Sequence, residues 1–79
     1  MTATVRFFAS AAEAAGLQDL EVDVATVGQL ASELDSRFGE KFAKVRRQCS
    51  VMVGGTLSES TTAIPDGSVV DFLPPFAGG

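Results

Sequence analysis

The sequence predicts an α+β domain in which a mixed β-sheet curls around one main amphipathic helix. Three observations predict it. Two β-rich segments near the start, Thr4–Ala9 and Leu20–Val24, carry alternating apolar residues; a capped helix-period segment follows at 26–39; and two further β-rich segments close the chain at 49–53 and 69–73.

The elements follow in order. In Thr4-Val5-Arg6-Phe7-Phe8-Ala9, parity puts Val5 and Phe7 inward and Arg6 and Phe8 outward. Ala11–Ala15 favours a short helix that Gly16 ends. Leu20-Glu21-Val22-Asp23-Val24 is a period-two strand with one wet face, returning to the first strand in the manner of a hairpin. Thr26-Val27-Gly28-Gln29 fits a capping box, and Val27, Leu30, Ala31, Leu34 and Phe38 then recur at helical spacing until Gly39. Residues 40–47 add a looser helical turn with Phe42 and Val45 as apolar contacts. Cys49–Val53 reads as a strand, Gly54-Gly55 as a tight turn or bulge, Pro65-Asp66-Gly67 as a turn, and Val69–Leu73 as the last strand, ended by Pro74-Pro75. The third strand is expected to return parallel to an earlier one through a right-handed crossover. Strand, strand, helix, strand, connection, strand is the β-grasp, or ubiquitin-like, arrangement: residues 1–73 form its body and 74–79 an extended tail.

Composition narrows the chemistry. The chain has 79 residues, 46% of them hydrophobic and 20% charged, which bounds it to one ordered domain with a modest core. A single cysteine makes no intramolecular disulfide and no iron–sulfur site, and the absence of histidine removes the usual zinc ligand and general base. No basic n-region leads into an apolar stretch, and no run approaches a membrane span, so a cytoplasmic protein without membrane contact is expected. A net charge of −4 argues against nucleic acid. The one basic run, Lys41, Lys44, Arg46 and Arg47, is either a solvated helix face or an anion site. Cys49 shares parity with Val51 and Val53 and is expected to be a buried, unreactive thiol.

Two features point to function. With the core assigned inward, Arg6, Phe8, Met52, Asp71 and Leu73 remain outward, and Phe8, Met52 and Leu73 make a partner surface near the base of the tail, unless loops cover them or parity slips by one residue. The sequence finishes Pro74-Pro75-Phe76-Ala77-Gly78-Gly79. Two glycines without Cβ make a slim stalk that a partner can thread to reach the final carboxylate; a frayed terminus is the alternative. Pro74 and Pro75 favour extended backbone, so less order is lost on insertion. Phe76 either anchors the stalk in a partner's channel or folds back on its own sheet.

Together these residues resemble the small subunit of molybdopterin synthase, within the wider family of β-grasp sulfur carriers. The matching stretches are Val5–Ala9, Thr26–Leu30 and above all Ile64–Gly79, with its aromatic-Leu-Pro-Pro-x-Ala-Gly-Gly end. Gly54-Gly55 stands where many members have Asn-Gly, and Phe76 where many have a smaller aliphatic. The resemblance implies that the Gly79 carboxylate is adenylated with ATP by an activating enzyme, receives sulfur from a donor, and delivers it as a thiocarboxylate inside the large synthase subunit. Pro74, Pro75, Phe76, Ala77 and Gly78 would then thread into that partner. The chain itself would bind no cofactor or metal and supply no catalytic acid or base. Related carriers for thiamine or cysteine synthesis, and a ubiquitin-like modifier joined to lysines, are the alternatives.

Overall fold

The computed structural model describes residues 2–75. Five strands and three helices follow the chain as β1 (Ala3–Phe7), α1 (Ser10–Ala15), β2 (Asp19–Val22), α2 (Val27–Phe38), α3 (Glu40–Arg46), β3 (Ser50–Val53), β4 (Thr56–Leu57) and β5 (Val69–Leu73). One mixed sheet in the order β2-β1-β5-β3-β4 carries the helices on one face. This is the expected α+β, β-grasp architecture.

The parallel pairing falls elsewhere than expected. β5, not β3, pairs parallel with β1, while β3 lies antiparallel to β5. β3 therefore runs in the same sense as β2 without touching it. Burial explains the choice: Val5, Val70 and Phe72 are the most deeply buried strand residues, so β1 and β5 occupy the centre. The connection between residues 54 and 68 also holds an unforeseen strand. Gly54 and Gly55 both take positive φ, 58° and 82°, the combination that closes a two-residue hairpin and sets Thr56-Leu57 against β3.

Boundaries shift by at most two residues, and β5 keeps the expected span. β1 ends at Phe7, leaving Phe8 and Ala9 in a turn, and β2 ends at Val22, so Val24 packs against the core from a loop. Val5, Phe7, Val22, Val70 and Phe72 face inward as parity requires, and Leu20, Val51 and Val53 pack more shallowly on the same core. Phe7 is edge-on to both Phe38 and Phe42, at centroid distances of 5.9 and 5.7 Å, and tilted against Phe72. Such aromatic pairs contribute beyond their buried area.

Both ends of the amphipathic helix are answered: at the C-terminus Gly39, at φ 91°, donates its N–H to Asp35 O at 2.9 Å. Thr26 Oγ1 accepts the Gln29 amide at 3.2 Å, while Gln29 Oε1 reaches back to the Ala25 amide at 3.0 Å, one residue earlier than a strict capping box. The two amides that follow the cap are taken by the 58–64 connection: Val27 donates to Thr62 O at 3.0 Å and Gly28 to Ser60 O at 2.8 Å. A Cβ on Gly28 would sit 3.1 Å from that Ser60 oxygen, which is why glycine occupies the position. With these donors used, the α2 N-terminus offers little to an anion.

The region after Gly39 is a full two-turn helix rather than a loose turn. Phe42 is completely buried, and Arg46 is drawn in by a bidentate pair with Asp35, donating from Nε at 2.6 Å and Nη2 at 2.8 Å. Lys41, Lys44 and Arg47 are exposed, the solvated-face reading of the basic run.

Candidate partner face and tail root

Side chains that stand directly opposite on neighbouring strands share a sheet face, so register alone defines the surface turned away from the helices. One cross-strand row on that outer face reads Asp19, Arg6, Asp71, Met52, Leu57. The row nearer the chain end places Leu73 opposite Ser50, with Phe8 just past the end of β1 beside it. The opposite row holds Glu21, Thr4 and Val69. The face is therefore divided: carboxylates along β2 and apolar side chains over β5, β3 and β4.

Phe8, Met52 and Leu73 are half-buried and none belongs to the core cluster, so the sheet brings the three expected partner residues onto one side. Leu57 and Val69 join them, 68% and 36% exposed, the large hydrophobic side chains most open to solvent among the described residues. The sequence reading named neither, although Val69 shares the parity of Asp71 and Leu73. Leu57 becomes visible only once Gly54-Gly55 is read as a hairpin turn, because the turn sets Leu57 across from Met52.

The border between the two halves is an ion pair. Arg6 Nε donates to Asp71 Oδ1 at 2.6 Å and Nη2 to Oδ2 at 2.9 Å, and the guanidinium carbon lies 5.6 Å from the Phe8 ring centroid. The hydrogen bond and charge of Asp71 hold the Arg6 pKa above its ordinary value. Two of the five guanidinium N–H groups are used, and the Arg6 side chain remains 52% exposed, so donors are left for a partner.

The tail leaves from the end of β5 beside Phe8. Pro74 is buried and Pro75 exposed. Phe76, Ala77, Gly78 and Gly79, on which the threading and carboxylate expectations fall, lie outside the described residues.

Cys49 is half-buried rather than fully buried, and lies just before β3 instead of inside it. Its Sγ donates to Val45 O at 3.3 Å, and burial pushes the thiol pKa up against the opposing pull of Arg46. A nucleophilic cysteine needs the reverse shift. Among the described residues no group of three or more His, Cys, Asp or Glu side chains could hold a metal ion, and no helix is long and apolar enough to cross a membrane.

Comparison with known proteins supplies the remaining finding. The ThiS family model matches residues 5–79 of this chain. Among solved structures, a Pyrococcus furiosus protein assigned as subunit 1 of a molybdopterin converting factor is 26% identical, with a TM-score of 0.83 over 95% of this chain and 98% of that one. SAMP1 of Haloferax volcanii is likewise 26% identical, with a TM-score of 0.80 and full coverage of both chains. The complex of subunits 1 and 2 of the molybdopterin-converting factor from Helicobacter pylori contributes a fold match, 24% identical with a TM-score of 0.76 over the whole of both chains. No curated protein sequence matches this chain.

Proposed function

This chain belongs to the ThiS family, and from that premise we propose that it carries sulfur on the Gly79 carboxylate for molybdopterin synthesis, as the small subunit of a molybdopterin synthase in the cytoplasm. The observation that carries the reading is the sequence Leu73-Pro74-Pro75-Phe76-Ala77-Gly78-Gly79, issuing directly from a central strand of the family's fold. Similarity to the Pyrococcus furiosus converting-factor subunit along nearly the whole of both chains is what this pathway requires.

In this reading an activating enzyme binds ATP, and the Gly79 carboxylate attacks the α-phosphate with loss of pyrophosphate. A sulfide-level sulfur from a separate donor protein then displaces AMP and leaves a thiocarboxylate, a soft nucleophile at neutral pH. Inside the large subunit that sulfur attacks an electrophilic carbon of the pterin precursor, and water cleaves the acyl–sulfur bond to restore the carboxylate. The residues of this chain dock and deliver; partners supply acid, base and metal. Phe8, Met52 and Leu73, extended by Leu57 and Val69, form the docking surface, and Pro74 to Gly78 carry Gly79 into the partner.

A specific observation keeps a second reading in view. SAMP1, a small archaeal modifier protein, is as similar in sequence as the converting-factor subunit; acting as a modifier, this chain would instead be joined through Gly79 to lysine amines.

Intact mass of the protein isolated from its own host tests both. A gain of about 16 Da, sulfur in place of oxygen, identifies the thiocarboxylate nucleophile. Addition of one residue after Gly79 is expected to abolish sulfur transfer to the pterin precursor while leaving the fold intact. Full transfer by that extended chain overturns the carrier reading, and Gly-Gly remnants on host lysines that vanish with it favour the modifier.

A further inference from the structure

Two adjacent prolines begin the tail, yet the protein treats them oppositely: Pro74 is buried and Pro75 exposed. Both line a cleft of about 340 Å³ walled by Ala9 of the β1–α1 turn, Ser10 and Glu13 of α1, Val45 of α3 and Gln48 beyond it. The first proline thus belongs to the body, seated where two helices meet the end of the central strands.

One wall of this cleft is strained. Ala9 takes φ 50° and ψ −124° and is the one non-glycine with positive φ among the described residues, a conformation costly for any residue bearing a Cβ. Backbone hydrogen bonds impose it: Ala11 N–H donates to Phe8 O at 3.0 Å and Glu13 N–H to Ala9 O at 3.1 Å, while Phe8 N–H reaches Phe72 O at 3.3 Å. The last bond ties the strained turn to β5 only two residues before Pro74. The same strand therefore holds both the wall and the residue seated against it.

We infer that Pro74 is a fixed root, clamped between the β1–α1 turn and α3, so that the arm delivering the terminal carboxylate starts at Pro75. This deepens the carrier reading and rests on it. An arm of five residues reaches at most about 18 Å when extended. Its origin is fixed at the end of β5, one residue past Leu73, so docking also sets how deep the terminus can go. A fixed origin confines the end of the arm to a smaller volume, which raises its effective concentration at a reaction centre of matched depth. Pro74 is then a positioning residue, acting through the arm and never touching the reacting atoms.

The test compares Pro74→Gly, Pro74→Val and Pro75→Gly with the wild-type chain, each thiocarboxylated and mixed with the synthase large subunit. Pro74→Gly is expected to slow single-turnover sulfur transfer by about tenfold with an unchanged dissociation constant for the large subunit. Pro74→Val, which keeps an apolar side chain in the cleft, recovers the rate, and Pro75→Gly, which only loosens the arm beyond the root, costs clearly less than Pro74→Gly. Equal losses at the two prolines, or a loss that appears only as weaker docking, overturn the inference. In parallel, nuclear Overhauser contacts between the Pro74 ring and the Val45 methyl groups in the free protein are expected, and their absence overturns it whatever the activity. A wild-type chain that transfers no sulfur sinks the carrier reading instead, and the Val45 contacts still decide whether Pro74 is a root.

Discussion

Arg6 and Asp71 stand directly opposite on the two central strands, and their bidentate pair bridges the parallel register of β1 and β5 on the face that holds no helix. A parallel pair contributes less per residue than an antiparallel one, so a side-chain bond at this position has register to defend. Asp71→Asn keeps the shape and removes the charge. The expected result is a lower unfolding midpoint in dilute buffer, with the difference shrinking toward 1 M salt, where the Debye length falls to about 3 Å. A salt-independent difference would show that packing, not charge, is what Asp71 supplies.

Cys49 is expected to make the chain sensitive to high pH. Burial raises its folded pKa above the ordinary thiol value of about 8.5. The folded state therefore favours the neutral thiol: that stability is complete below the ordinary value and is lost as pH climbs through the raised one. With no tyrosine and no histidine in the sequence, few other groups titrate there. Urea unfolding of Cys49→Ala from pH 8 to 10.5 should show a shallower decline than the wild type. Parallel curves would remove Cys49 as the cause.

Much of this protein is legible from residue order, and the exceptions have physical reasons. Helix α2 is announced by Thr26, Gln29 and the 3.6-residue spacing because these signals are local. The expected trio Phe8, Met52 and Leu73 follows from a period of two, which depends only on the strand itself. What parity cannot supply is which strands touch. The β1–β5 pairing joins residues 65 apart, and β4 exists because Gly54-Gly55 folds it against β3, so Leu57 enters the outer face through a turn rather than through a pattern of its own. Pro74 reads as part of the tail because proline after a strand signals termination, and its burial depends on α1 and α3 arriving beside it.

Ala9 predicts an uncommon gain. Replacing alanine by glycine normally costs stability, since glycine loses more freedom on folding. At φ 50° and ψ −124° the balance reverses, because strain of about 1–3 kcal/mol is relieved against an entropic cost of about 0.4–1 kcal/mol. Ala9→Gly is expected to stabilise the chain by about 1 kcal/mol, a rise of several degrees in Tm for a domain of this size. A fall in Tm would mean that the turn relaxes in solution to an ordinary conformation.

The outer face separates folding from function. Leu57 is 68% exposed on the short edge strand and supports little of the core, so Leu57→Ser should leave stability within about 0.5 kcal/mol. Met52 stands opposite it, half-buried, and Met52→Ser removes the centre of the same apolar patch. If this surface meets a partner, each substitution weakens binding to the large subunit by about tenfold, the scale of a truncated interface anchor. The two losses should be less than additive when combined, because the side chains are neighbours and share one partner groove. Lys41→Ala on the helical side is the control and should bind as the wild type does. Titration calorimetry reads the four variants against the wild type. Loss at Lys41 with none at Met52 or Leu57 would move the docking surface from the sheet to the helices, and the apolar half of the outer face would need another partner.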